Sequence, residues 1–220
     1  MEISAIILAR VLGFIETADL NPQGRVFFPK LVHGLVERFQ FQKYPQTLEE
    51  MDDDKGINFF EGTWGGVSVD KVTIFRGAIA VDTSASTDES GKILDVALTW
   101  AAENFGITYR TGMIKRWKYV SDLTFYSRAP LLGPSNALSN LKGSVSQAVS
   151  EIFGEPIQYE PSRLDLDFDK FQRPLPTASF SIQRRGEIPF SDNKYFSEAP
   201  LPTDVHIRIL KAYEGALAYE

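Results

Sequence analysis

The 220-residue chain has no cysteine, which removes disulfides, thiolate-bound zinc, iron–sulfur clusters and a cysteine nucleophile together. Histidine is nearly as scarce, with only His33 and His206. Neither has the companion of an HExxH or HxH pattern, and a Ser-His-Asp triad would have to recruit one of these two. No Gly-x-Ser-x-Gly elbow, P-loop or GxGxxG fingerprint occurs, so the sequence calls for no cofactor and favours a non-enzymatic role. Long apolar runs are also missing. The apolar N-terminal stretch is interrupted by Arg10, carries Glu2 where a secretory signal needs positive charge, and is too short to cross a bilayer. Basic residues are outnumbered, 23 Lys+Arg against 29 Asp+Glu. The resulting net charge of −6 opposes long-range attraction to nucleic acid and anionic lipid. The expectation is a soluble, cytoplasmic protein away from membranes, with nucleic acid an unfavoured partner.

What is present is a generous supply of core material. Hydrophobic residues make up 43% of the chain, including 16 Phe, 8 Tyr and 3 Trp. A chain of this length buries a full core without a metal or cross-link. The clearest local signal covers residues 67–106. Two β-rich runs meet at Arg76-Gly77, and Ser86 with Glu89 has capping-box spacing. The helix that follows places Ile93, Leu94, Ala97, Leu98, Ala101 and Phe105 on one side, and Gly106 is suited to end it.

The rest of the chain is built from similar pieces. Residues 5–20 read as a strand, and Asn21-Pro22 as a turn. Residues 29–39 form a helix with Leu31, Val32, Leu35 and Phe39 inward. Residues 40–58 form a surface connector bearing Asp52, Asp53 and Asp54. Strands follow at 57–64, 67–75 and 78–84. In the second half, 114–128 reads as a long strand whose alternation changes phase between Tyr119 and Val120, which predicts a bulge there. A turn over 130–136 leads to a helix carrying Leu138, Leu141, Val145, Ala148, Val149 and Ile152. Strands near 157–168 and 177–185 and an irregular loop over 186–202 precede a last helix with Val205, Ile209, Leu210, Tyr213 and Leu217. The expected class is α+β: one compact domain over 1–220 with a mostly antiparallel sheet and about four main helices. Its two similar βαββα-type halves would span 5–106 and 107–220. In element order alone this resembles the duplicated folds of SOUL-type haem-binding domains and of effector-binding domains of some bacterial regulators. No motif is shared, so the resemblance implies a fold and not a function.

Candidate sites cluster in the second half. Asp165, Asp167 and Asp169 would share one face of a strand and could hold a hard cation for a metal-dependent hydrolase. The same alternation is produced by any half-solvated strand. Glu16 and Asp19 could act as an acid/base pair or simply hold a turn. Residues 115–119, with Arg116 and Trp117, interleave cations and aromatics as a nucleic-acid stacking surface would. Gly133-Pro134-Ser135-Asn136 could present helix N–H groups to a phosphate, or serve as an ordinary cap. Arg185, Phe190, Tyr195 and Phe196 lie in a loop of the kind that forms partner-binding surfaces or covers a sheet edge. The first functional expectation is a protein-interaction module, self-associating or a subunit of a larger assembly. The second is a small-ligand pocket between the halves, lined by Trp64, Trp100 and Trp117.

Overall fold

The longest strand, β1 (Glu2–Phe14), lies at the middle of a single sheet in the computed structural model, which describes residues 1–133, 136–169, 171 and 178–217. After β1 come a one-turn helix α1 (Thr17–Leu20) and α2 (Phe28–Phe39). Three strands follow, β2 (Ile57–Trp64), β3 (Val67–Phe75) and β4 (Ala78–Thr83), and then α3 (Thr87–Phe105). The second half runs β5 (Arg116–Tyr126), α4 (Asn136–Phe153), β6 (Arg163–Leu166), β7 (Phe180–Arg184), β8 (Lys194–Ala199) and α5 (Thr203–Leu217). All eight strands pair antiparallel in the order β2-β3-β4-β1-β5-β8-β7-β6. The architecture is therefore α+β, with five α-helices among the described residues. Three strands, not two, stand between the helices of each half. The expected strand at 5–20 is cut short at Phe14, because 17–20 turns into α1.

Local chemistry sets the elements. Ser86 is extended and its hydroxyl accepts a hydrogen bond from the Glu89 N–H at 3.2 Å, while Gly106 adopts the left-handed conformation that closes α3. On α2, Leu31, Val32, Leu35 and Phe39 are buried, and Gly34 leaves room for Phe105 and Trp100, which a Cβ there would meet at 2.3 and 3.0 Å. The starts of α3 and α5 cap each other. The Thr87 N–H donates to the Thr203 hydroxyl at 3.1 Å, and the Thr203 N–H donates to the Thr87 hydroxyl at 2.9 Å.

The core has two parts. The larger lies under α2 and α3 and includes Ile57, Phe59, Val81, Ile93 and Leu94; the smaller lies under α5 around Leu123, Phe125, Ile182, Tyr195 and Leu210. The bulge expected between Tyr119 and Val120 is absent, because Val11 and Arg10 pair with them in regular register. The extra residues are Ser4 and Ile7 on β1, where the register steps. The phase of β5 never changes. Ser121 occupies a core-facing position, and its hydroxyl meets His206 Nδ1 of α5 at 2.6 Å, so a polar residue stands where the alternation calls for an apolar one.

Candidate functional site

The least finished surfaces are the exposed side of α4 and the outer edge of β6. The helix forms as its spacing predicts, but its apolar side is only partly covered: Val145 and Val149 are half-buried. None of residues 137–153 is buried, and Leu141, Ile152 and Phe153 are 59%, 79% and 68% exposed. Its serines make the contact with the rest of the chain instead. The Ser146 hydroxyl accepts from the Tyr159 N–H at 2.9 Å, the Ser150 hydroxyl accepts from the Ile157 N–H at 2.8 Å, and Lys142 pairs with Glu160 at 2.9 Å. This polar seam holds α4 beside the segment that leads into β6. In turn, β6 is the last strand of the sheet, and its outer edge pairs with no described strand. Leu166 at its end is 55% exposed. The second half thus carries both an exposed apolar helix side and an open strand edge.

Arg163 and Asp165 point the same way on that edge, with the guanidinium Nε 2.8 Å from both carboxylate oxygens. Asp167 and Asp169 lie beyond the end of the strand, so the shared strand face expected for the three acids does not form. The Asp167 carboxylate accepts from the Phe168 N–H, and that of Asp169 from the Phe171 N–H, each at 2.9 Å. Among the described residues, the carboxylates that do converge are Asp52, Asp53 and Asp54 in the connector.

The expected loop site is divided by the sheet. Tyr195 is wholly buried, stacked on Phe125 at 5.8 Å, and its hydroxyl accepts from the Leu131 N–H. It is core, not surface. Phe190 is exposed under the Arg184 guanidinium at 4.5 Å. Arg185 is exposed at the turn, and Phe196 is half-buried on the opposite face of β8 from Tyr195. Arg116 and Trp117, as neighbours on a strand, face opposite ways. Arg116 lies 3.9 Å over the Phe14 ring, while Trp117 packs on the larger core. They do not form one stacking platform. Glu16, Asp19, Lys115 and Arg116 share an open cleft of about 580 Å³. Pro134 and Ser135 of the expected phosphate turn, and Thr177 of the expected strand, lie outside the described residues.

The face of the sheet away from the helices carries a charged band. Arg10 and Asp82 form a two-pronged pair at 2.7 and 2.6 Å. Asp122 lies nearby, opposite Glu198 in the strand pairing. Its Oδ1 is buried without a hydrogen-bond partner among the described residues. Burial, reinforced by the Glu198 charge and opposed by Arg10, pushes its carboxyl up to about 6. On the helix side, His206 is wholly buried between Ser121 and Ser197, the latter 2.8 Å from Nε2. Burial pushes its imidazole down to about 4. Both ring nitrogens are engaged and no solvent reaches them, so this Ser-His-Ser set is structural.

An apolar cavity of about 460 Å³ lies under α2 and α3 and not between the halves. Trp64, Trp100 and Trp117 are absent from its walls. No family model matches the chain, and no curated protein matches it.

Proposed function

We propose that the protein is a self-associating interaction module, whose contact surface is the exposed face of α4 together with the open edge of β6. The observation that carries this reading is the apolar side of α4. Its leucine, valine and isoleucine spacing is that of a core helix, yet Leu141, Ile152 and Phe153 face solvent. Apolar surface left in water at this density favours association by roughly 25 cal/mol per Å² covered.

A second copy fits better than an unrelated partner. Charged residues usually blunt an exposed strand edge. Here they alternate in sign, Arg163 then Asp165. An antiparallel pairing of two β6 edges centred on Leu164 sets Arg163 of each copy opposite Asp165 of the other. The helix beside it is nearly free of charge, so two copies of a chain with net charge −6 can meet there with little repulsion. Light scattering after size exclusion tests this. The wild type is expected at twice the 24.7 kDa chain mass, and Leu141→Glu with Ile152→Glu at the chain mass with unchanged circular dichroism. A wild type that stays at the chain mass at high protein concentration removes the proposal.

We further infer that the chain arose as two copies of one unit. The support is the mirrored strand order about β1 and β5, the matching helix positions, and the reciprocal Thr87–Thr203 contact. In this reading α4 occupies the place of α2 but leaves its face to a second protomer. We place the protein in the cytoplasm. The lack of cysteine is compatible with that, and no helix among the described residues is long and apolar enough to cross a membrane.

A further inference from the structure

The cavity under α2 and α3 is independent of the α4 surface and lies in the other half of the molecule. Its floor is the sheet, with Phe59, Ile74 and Val81, and its walls are Leu35 of α2 and Leu98 of α3. At about 460 Å³ it falls within the range of small-molecule sites, roughly 300–1,000 Å³. A half-open apolar space of this size is a gap that close-packed interiors normally lack. Its polar residues are few: Thr17, Asn21 and Asp53. The Asp53 carboxylate accepts from the Thr17 hydroxyl at 2.8 Å and lies 3.8 Å from Arg76 Nε. Asp52 and Asp54 bring further carboxylate oxygens within 4.8 Å of it, with Arg76 held by Asp54. The polar end of the cavity thus presents acceptors and negative charge. It suits a hydrogen-bond donor and repels a carboxylate.

We propose that this cavity binds a small amphiphile, a hydrocarbon chain or ring buried against α2, α3 and the sheet, with a cationic amine head on Asp53. The direct test titrates the full chain by calorimetry with decylamine and with decanoate, each below its micelle concentration. Saturable binding of one decylamine per chain is expected, with decanoate about tenfold weaker or more, the equivalent of one charge-assisted contact. Ala97→Phe places a ring in the cavity from α3 and is expected to abolish binding. Asp53→Asn alters only the polar end, so it is expected to keep chain binding and lose the preference for the amine. No saturable binding to the folded wild type overturns the proposal, as does equal affinity for decylamine and decanoate, or undiminished binding to folded Ala97→Phe. Should Ala97→Phe fail to fold, a preference unchanged by Asp53→Asn is the overturning result. None of these readouts depends on the oligomeric state.

Discussion

Two ionisable side chains, His206 wholly buried and Asp122 half-buried, set opposing pH dependences. His206 titrates at about 4 in the folded chain and near 6.5 when unfolded. Between those values the unfolded state holds more protons, so stability falls as pH drops from about 6.5 to 4, by about 3 kcal/mol in all. Asp122 has the reverse sign. Its folded pKa of about 6 lies above its ordinary value of 3.8. The folded state therefore holds the extra proton, and the associated stability is present at low pH and lost as pH rises through 6. Urea denaturation across pH 4–8 separates them. Relative to wild type, Asp122→Asn is expected to lose stability more steeply on acidification and to be more stable at pH 7–8. His206→Gln is expected to lose the acid-side fall. Parallel curves for wild type and both variants would contradict these assignments. Neither residue was legible in the sequence as a buried group. Ser121 and His206 are far apart in the chain, and only the fold reveals that each occupies an apolar position because the other satisfies it. Tyr195 misled for a related reason. An aromatic beside a polar turn reads as surface, whereas its ring is core and its hydroxyl serves the Leu131 N–H.

At the scale of elements, sequence signals with a local cause were readable. The α3 cap at Ser86, its stop at Gly106, and the three strands β2 to β4 follow from spacing and turn chemistry. Signals that depend on what lies opposite were not. The periodicity of α4 identifies an apolar side but cannot say whether anything covers it. The alternation at 164–168 suggests a longer strand than β6, which ends where its neighbour β7 begins, at the Leu166–Phe180 pair. The reciprocal cap between α3 and α5 is likewise a tertiary fact. Thr87→Val or Thr203→Val removes one acceptor and leaves a buried N–H unpaired, at a cost of about 1–3 kcal/mol. The two bonds are separate, each hydroxyl serving the other helix's N–H, so the two losses are expected to add in the double variant. Single variants as stable as wild type in urea denaturation would show that the contact contributes nothing. Gly34 offers a second check. Gly34→Ala should destabilise despite alanine's better helix propensity, since its Cβ meets Phe105 at 2.3 Å.

For the molecule as a whole, one antiparallel sheet joins two unequally finished halves. In the first, α2 and α3 cover the sheet but leave a half-open, mostly apolar cavity of about 460 Å³, a gap of the size that small-molecule sites occupy. In the second, α5 covers the sheet while α4 leaves part of its apolar side exposed, and the outer edge of β6 pairs with no described strand. The α+β class and the antiparallel sheet could be read from strand and helix signals, but the placement of these two features could not. The central claim, that the α4–β6 surface meets a second copy, can be tested directly because the chain has no cysteine. In a pairing centred on Leu164, that residue faces its own counterpart. Leu164→Cys is expected to form a disulfide-linked dimer under mild oxidation, and to lose it when combined with Leu141→Glu and Ile152→Glu. A folded Leu164→Cys protein that remains a reducible-bond-free monomer at high concentration would contradict the account.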